Sequence, residues 1–388
     1  VNAGSGSDDA RESDDGATET DADNARETAA SHAAAAGSSA ILSVGAAAID
    51  EWYAVSNLPA PDGGAFAHEV TSAFGGVGAN VAVALDRLGR DAGLVSRVGN
   101  DEYGRRALAY LAETGVDASH VAVGDDPHTR SLILCDPDGE RAIVTAGESF
   151  RGLRLGDDAL AAMADADAVF LTAYAPDRAA RRVLDRVESL RESAAESGDA
   201  PPALVFDLSG PVEELVGRGT EPETIHRFLH RADLFVADGV AAPAFFGSAA
   251  AAVERIADAQ TRAVGIDSGL GPRSRRGPTW PRAVLTHGAD GMTAITGGEA
   301  AEFDAFDVET VDTTGAGDAF TAGLIDRWIA EGAEESSADR DAVAPGVRFA
   351  AAVAAINCTS RFTQPGLPTR SEVESFLAEG GIDPDGSR

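Results

Sequence analysis

Asp312, Thr313, Thr314, Gly315, Ala316, Gly317, Asp318, Ala319 and Phe320 make up the stretch of this chain whose residue types say most about chemistry. Small residues at Gly315, Ala316 and Gly317 let the backbone turn sharply and come close to a ligand. An apolar run with helical spacing follows at Ala319, Phe320, Gly323, Leu324 and Trp328. The first N–H groups of a helix have no partner inside it, so they can bind an anion. Asp318 falls in that same first turn. The segment therefore offers an oxyanion cradle beside a candidate base, which suits phosphoryl transfer from a nucleotide to an alcohol. A plain tight turn, with Asp318 only complementing the helix dipole, would use the same residues. A dinucleotide fingerprint fits poorly, because the third glycine of G-x-G-x-x-G is Phe320 here.

A second segment narrows the choice. Gly75, Gly76, Val77, Gly78, Ala79, Asn80, Val81 and Ala82 open an amphipathic helix that ends at Leu88 and Gly89, and Gly99 follows a strand-like run from Gly93 to Val98. The first segment fits G-G-x-G-x-N-x-A with the later glycines; the second fits D-T-x-G-A-G-D-x-F. Together they resemble the paired signatures of the ribokinase-like (PfkB) carbohydrate kinase family, here of haloarchaeal type. The resemblance runs from about Ala40 to Leu377.

The resemblance carries a set of expectations. It implies an α/β fold, ribokinase-like, three-layer α/β/α, with a mostly parallel central sheet and a small β-sheet lid over the sugar. It implies transfer of the γ-phosphate of ATP to a sugar hydroxyl, with Asp318 as base and Gly315, Ala316 and Gly317 stabilising the transferring phosphoryl group. Asp50, Gly75, Gly76 and Asn80 match the family's sugar-binding elements. A carboxylate and an amide suit pairs of vicinal hydroxyls, because each can engage two groups. Thr286, Gly288 and Gly291 match the T-x-G-x-x-G contact to nucleotide phosphates, and Asn357 falls in the segment near the adenine. Asp312 stands where many members hold a monovalent cation, so K+ is expected there, and Mg2+ is expected with ATP.

The chain also departs from the family pattern. The N-x-x-E motif that arranges magnesium-bound water reads Asp238, Gly239, Val240, Ala241. Val77 replaces the lysine of ribokinases, the D-P-N segment reads Asp207, Leu208, Ser209, and the strand ending near Tyr174 lacks the expected acid. These differences argue against a close ribokinase. Arg130 and Arg141 sit on the hairpin expected in the lid, and Arg97 ends a strand nearby. Either they pair with acids, or one or more binds a substrate phosphate through a bidentate fork. Ribose 1-phosphate, giving ribose 1,5-bisphosphate, is the leading acceptor that the resemblance suggests. Ribose, nucleosides and 2-keto-3-deoxygluconate are the alternatives, and a non-catalytic sugar or nucleotide sensor is a different class of outcome.

The elements that must position these residues are legible as a rhythm. Ala40 to Ala47 reads as a buried first strand, and Phe306 to Val311 as a strand feeding the cradle. Strands at 168–172, 203–207, 234–237, 283–286 and 292–296 alternate with helices at 177–197, 222–230 and 249–260, which argues a covered, mostly parallel sheet. Residues 51–74 and 120–147 break that rhythm and are expected to form the lid, with a hairpin turn at Asp136, Pro137, Asp138 and Gly139. The kinase domain is thus expected over 40–388. The resemblance also suggests a homodimer through the lid.

Composition excludes several mechanisms. Acidic residues number 64 against 31 basic ones, the formal net charge is −33, and every basic residue is Arg. Without lysine there is no Schiff base and no phosphate-loop lysine. The acidic surface argues against nucleic-acid binding and points to a high-salt interior, where screening tolerates self-repulsion. Residues 1–39 have almost no large apolar side chain and are expected to be a disordered acidic tail, unlike a transit or signal peptide. No apolar run reaches membrane-span length. Cys135 and Cys358, two isolated cysteines, suggest neither a zinc site nor a disulfide framework and fit a reducing cytoplasm. The loop 272–278, rich in Arg, reads as a solvated surface insertion or as a contact to nucleotide or partner.

Overall fold

The computed structural model of the chain describes residues 40–197, 201–266, 281–330 and 340–380. The expectations for the tail 1–39 and the loop 272–278 lie outside the described residues.

Two sheets organise the chain. The larger has nine strands in the order β13-β12-β11-β10-β9-β8-β1-β4-β5. These are β1 (Ile41–Val44), β4 (Ala92–Gly99), β5 (Val121–Gly124), β8 (Ala168–Thr172), β9 (Ala203–Leu208), β10 (Leu234–Asp238), β11 (Arg282–Thr286), β12 (Met292–Thr296) and β13 (Glu299–Phe303). Every neighbouring pair from β5 to β11 is parallel, and only β12 and β13 add antiparallel edges. The strands are continuous apolar runs because both faces are covered. Ile41, Phe170, Val205, Val236 and Val284 pack on one side, under the helices Val77–Arg87, Ala316–Ile325 and Arg340–Cys358. Leu42, Leu171, Phe206, Phe235 and Leu285 pack on the other, under Asp177–Ser197, Pro222–Arg231 and Ala249–Ile266. The result is the expected three-layer α/β/α arrangement.

The smaller sheet has the order β3-β2-β6-β7, from β2 (Ala48–Val55), β3 (Ala67–Gly75), β6 (Arg130–Cys135) and β7 (Arg141–Ala146). Three sequence expectations change here. The strand read over 40–47 ends at Val44; the chain bends at Gly45 and continues as β2 in the other sheet. Val121–Gly124, expected in the lid, pairs in parallel with β4 at the edge of the large sheet. Phe306 to Val311, expected as a strand, has no sheet partner. The backbone N–H groups of Val311 and Asp312 instead donate to the Cys358 carbonyl, at the end of the helix Arg340–Cys358.

Register fixes which lid side chains share a face, because side chains alternate along a strand. Asp50 aligns with Ser131 and Ala73, and Cys135 with Arg141. Asp50, Trp52, Ser131, Ile133 and Arg141 therefore share one face. Ile49, Glu51, Phe74 and Arg130 share the opposite face. That second face packs on the helix Glu102–Leu111, where the Phe74 and Tyr110 rings lie 4.7 Å apart and Tyr103 Oη donates to Glu51 Oε1 at 3.2 Å. The first face closes on the turn at Phe362, whose ring meets Trp52 edge-on at 6.2 Å.

Candidate active site

The helix Ala316–Ile325 starts where the sequence places it, with Gly315 as N-cap at φ 75°. A side chain there would be strained on two counts: the left-handed backbone, and a Cβ only 2.1 Å from Thr363 Oγ1. Thr363 Oγ1 in turn donates to the Thr314 carbonyl at 3.1 Å, locking the turn. By position, the N–H groups of Gly317 and Asp318 have no carbonyl four residues back within the helix. Ala316 N leans on the Thr313 carbonyl at 3.3 Å. The cradle thus centres one residue later than the sequence suggested, on Gly317 and Asp318. Gly317 is exposed and its Cα faces open space.

Asp318 is half-buried. Asn80 Nδ2 donates to its Oδ2 at 2.7 Å, across 238 positions of chain. Asn80 lies in the second turn of the helix Val77–Arg87, on the face that packs against Ala316–Ile325. Burial pushes the Asp318 carboxyl up to about 8; the Asn80 hydrogen bond opposes this, and the negative charges of Asp207 and Asp50 add to it. Asp207 is buried at the carboxyl end of β9, on the strand face opposite Phe206. Burial pushes it up to about 7, against a hydrogen bond from Ser209, with the Asp238 charge adding a little. Asp50 is raised to about 6, again mainly by burial, against a hydrogen bond from Ser131. Three carboxyl groups that repel one another's charge therefore converge from the lid, from β9 and from the cradle helix. Such a group of acids with separated proton affinities is a mark of functional sites.

Gly75 and Gly76 join β3 to the helix Val77–Arg87. A Cβ at Gly75 would lie 2.0 Å from Asp50 Oδ2, so this glycine admits the Asp50 carboxylate over the backbone. Asp50, Gly75, Gly76 and Asn80 are thus brought together.

The two lid arginines separate. Arg141 shares the Asp50 face and donates to Thr314 Oγ1 at 2.9 Å, with its Nη1 3.9 Å from Asp312 Oδ1. Arg130 is on the opposite face, bonded to Glu51 Oε2 at 3.1 Å and stacked on Tyr103 at 4.4 Å. The expectation of Arg130 as a substrate ligand is corrected: its register turns it away from the cleft. Arg97, at 2.6 Å from Asp126 and bonded to the Ser149 carbonyl, braces the lid's base.

Asp312 is buried and holds the turn together. Its Oδ1 accepts from Thr314 N at 2.9 Å and its Oδ2 from Phe362 N at 3.0 Å. The Arg141 guanidinium is the positive charge that faces this carboxylate. Among the described residues no group of three His, Cys, Asp or Glu is placed to hold a metal ion. Asp238, in place of the family's asparagine, is consumed as a clasp: it accepts from Gly210 N, Val240 N and Ala241 N at 2.8, 2.8 and 2.6 Å.

On the nucleotide side, Thr286 ends β11 and Gly288 and Gly291 flank a single 3-10 turn at the carboxyl edge of the sheet. Gly288 faces open space. Asn357 does not: it is buried, with its Nδ2 donated to the Thr363 carbonyl at 2.6 Å. It supports the turn beneath the cradle, and the expectation of an adenine contact is corrected. The sequence reading missed Asp207 as a site residue, as well as Thr363 and Gln364. Asp207 could have been found from its place at the carboxyl end of a buried strand.

Comparison with known proteins agrees with this fold. The model of the pfkB family of carbohydrate kinases matches residues 38–209 and 274–370. An ATP-dependent ribose-1-phosphate kinase of Halopiger xanaduensis is 30% identical over 329 residues, covering 84% of this chain and 93% of the relative. A ribokinase of Haemophilus influenzae is 27% identical over 311 residues, covering 79% and 87%. The solved ribokinase of Giardia lamblia superposes with a TM-score of 0.72 at 22% identity, over 89% of this chain and all of that one (100%). The chain belongs to the pfkB family of carbohydrate kinases.

Proposed function

We propose that this enzyme transfers the γ-phosphoryl group of ATP to a hydroxyl of a ribose-type sugar, with ribose 1-phosphate as the acceptor. The observation that carries the reaction class is the placement of Asp318: a raised carboxyl group, oriented by Asn80, in the first turn of a helix whose second residue, Gly317, faces open space. The acceptor hydroxyl lies between Asp50 and Asp318, and Asp318 takes its proton as the bond to phosphorus forms. A base whose proton affinity sits near the working pH is effective in this role and contributes roughly 10²–10⁴-fold. The N–H groups at Gly317 and Asp318 meet the negative charge on the phosphoryl oxygens, and positioning supplies much of the rest.

Support for a phosphorylated acceptor comes from Arg141, the lid cation that shares the face of Asp50, and from the ribose-1-phosphate kinase relative. The chain has no lysine to hold a phosphate in its stead. Magnesium would arrive with the nucleotide phosphates, since Mg2+ is often held by substrate oxygens and few protein ligands. A cytoplasmic, salt-rich setting fits the two free cysteines and the −33 charge. Pairing of two chains through the lid fits the exposure of Phe66, Val70 and Val144 there; the mass of the full chain in solution tests it.

The deciding experiment is ATP turnover with ribose 1-phosphate, ribose, a nucleoside and 2-keto-3-deoxygluconate at matched concentration. Fastest kcat/KM with ribose 1-phosphate is expected. Preference for a neutral acceptor overturns the phosphate assignment, and no turnover with any sugar overturns the kinase reading.

A further inference from the structure

Phe362 breaks the backbone pattern next to the site. It holds φ 65° and ψ 155°, and among the described residues only Asp62 is another non-glycine at positive φ. Such strain costs on the order of 1–3 kcal/mol and persists where surrounding contacts over-determine it. Here those contacts are the Asp312 carboxylate on its N–H and the Trp52 ring on its side chain. The strained residue turns the chain so that the next two side chains point into the site. Thr363 locks the cradle turn. Gln364 is buried and donates its Nε2 to Asn80 Oδ1 at 3.1 Å, across 284 positions of chain.

We propose that Gln364 is a positioning residue for the base, acting through Asn80. An amide can present either its carbonyl or its NH2 to a neighbour. Gln364 donates to the carbonyl, which leaves the Asn80 NH2 facing Asp318. One of its N–H bonds fixes Asp318 Oδ2, which leaves Oδ1 for the acceptor hydroxyl. Its second N–H remains for a sugar oxygen. With the Asn80 amide reversed, two acceptor oxygens would meet at 2.7 Å, and Asp318 would have to keep its proton. The chain Gln364–Asn80–Asp318 thus favours the ionised base against the burial and the charges of Asp207 and Asp50 that disfavour it. The Tyr174 phenol, on which the Asp318 charge also acts, is pushed up mainly by burial.

This inference rests on Asp318 being the base, and the test separates the two. Gln364→Met keeps the volume and removes the donor; Gln364→Glu replaces the donor with a group that draws the Asn80 NH2 away. For both we expect a tenfold to hundredfold fall in kcat, because the Asn80 hydrogen bond to the charged Asp318 is lost when the amide reverses. The acid limb of the kcat–pH profile should move up by about one to two pH units, with KM for ATP little changed. In an Asn80→Ala background Gln364→Met should add almost nothing, because its partner is gone. Independent, multiplying losses in the double variant, or an unmoved acid limb, overturn the proposal. If one Gln364 variant does not fold, the other carries the same measurements. If Asp318→Asn stays active, it is the base assignment that has failed; if Asp318→Asn is dead while the cycle is additive, only the role of Gln364 has.

Discussion

Replacing Asp318 with Asn should do two opposite things, and the structure sets the size of both. Burial and the facing carboxylates push its proton affinity from the ordinary 3.8 up to about 8. The folded chain therefore keeps a proton that the unfolded chain releases above about pH 4. Where the folded state binds more protons, stability falls as pH rises. The penalty starts near pH 4, grows to about pH 8 and is then complete. At ~1.4 kcal/mol per pH unit it reaches a few kcal/mol, lessened because the carboxylate partly faces the cleft. Asp318→Asn cannot ionise and still accepts the Asn80 hydrogen bond. It should match wild type in stability near pH 4 and exceed it at pH 9 by on the order of a few kcal/mol, or several degrees in Tm. Its turnover should fall by roughly 10²–10⁴-fold. The assay is a series of melting curves for both proteins from pH 4 to 9 in high salt, with ATP turnover on the same samples. Parallel stability curves would show that the carboxyl group is not raised, and more than a tenth of wild-type turnover would show that it is not the base.

Other outcomes follow from single contacts. Gly315→Ala forces a side chain into left-handed backbone and onto Thr363, so it should cost about 1–3 kcal/mol of stability, seen as a lower Tm, and disable transfer even where the protein folds. Arg141→Ala should lower kcat/KM for ribose 1-phosphate about tenfold or more, the loss of one charge-assisted hydrogen bond. Arg130→Ala, which removes only the Glu51 pair and the Tyr103 contact, should leave that ratio within about twofold while loosening the lid to proteolysis; equal losses in the two variants would undo the distinction drawn from register. With a net charge of −33, Tm should climb steeply between low and molar KCl, and a flat curve would remove the argument for a salt-rich setting.

The sequence alone determined the cradle segment and the layer order. Asp312 to Phe320 could be recognised because a cradle needs small residues and a helix start in contiguous positions, and local chemistry is written locally. The βα alternation gave the parallel sheet because a strand covered on both faces must be apolar throughout. Tertiary structure decided the rest. Arg130 and Arg141 look alike in the sequence, yet strand register puts one on Tyr103 and the other on the cradle, and pairing between distant strands is not encoded at either position. Val121–Gly124 joined the large sheet and Phe306 to Val311 lost its strand for the same reason: partners, not propensity, make a strand. Asn357 matched a nucleotide contact by position, but its amide was spent on the turn that carries Thr363. Gln364, Asn80 and Asp318 are far apart in the chain and unremarkable as a set; only the packing of two helices and one strained turn makes them a single hydrogen-bonded line. Burial, which no residue specifies alone, then raised the three converging carboxyl groups above the ordinary carboxylate range.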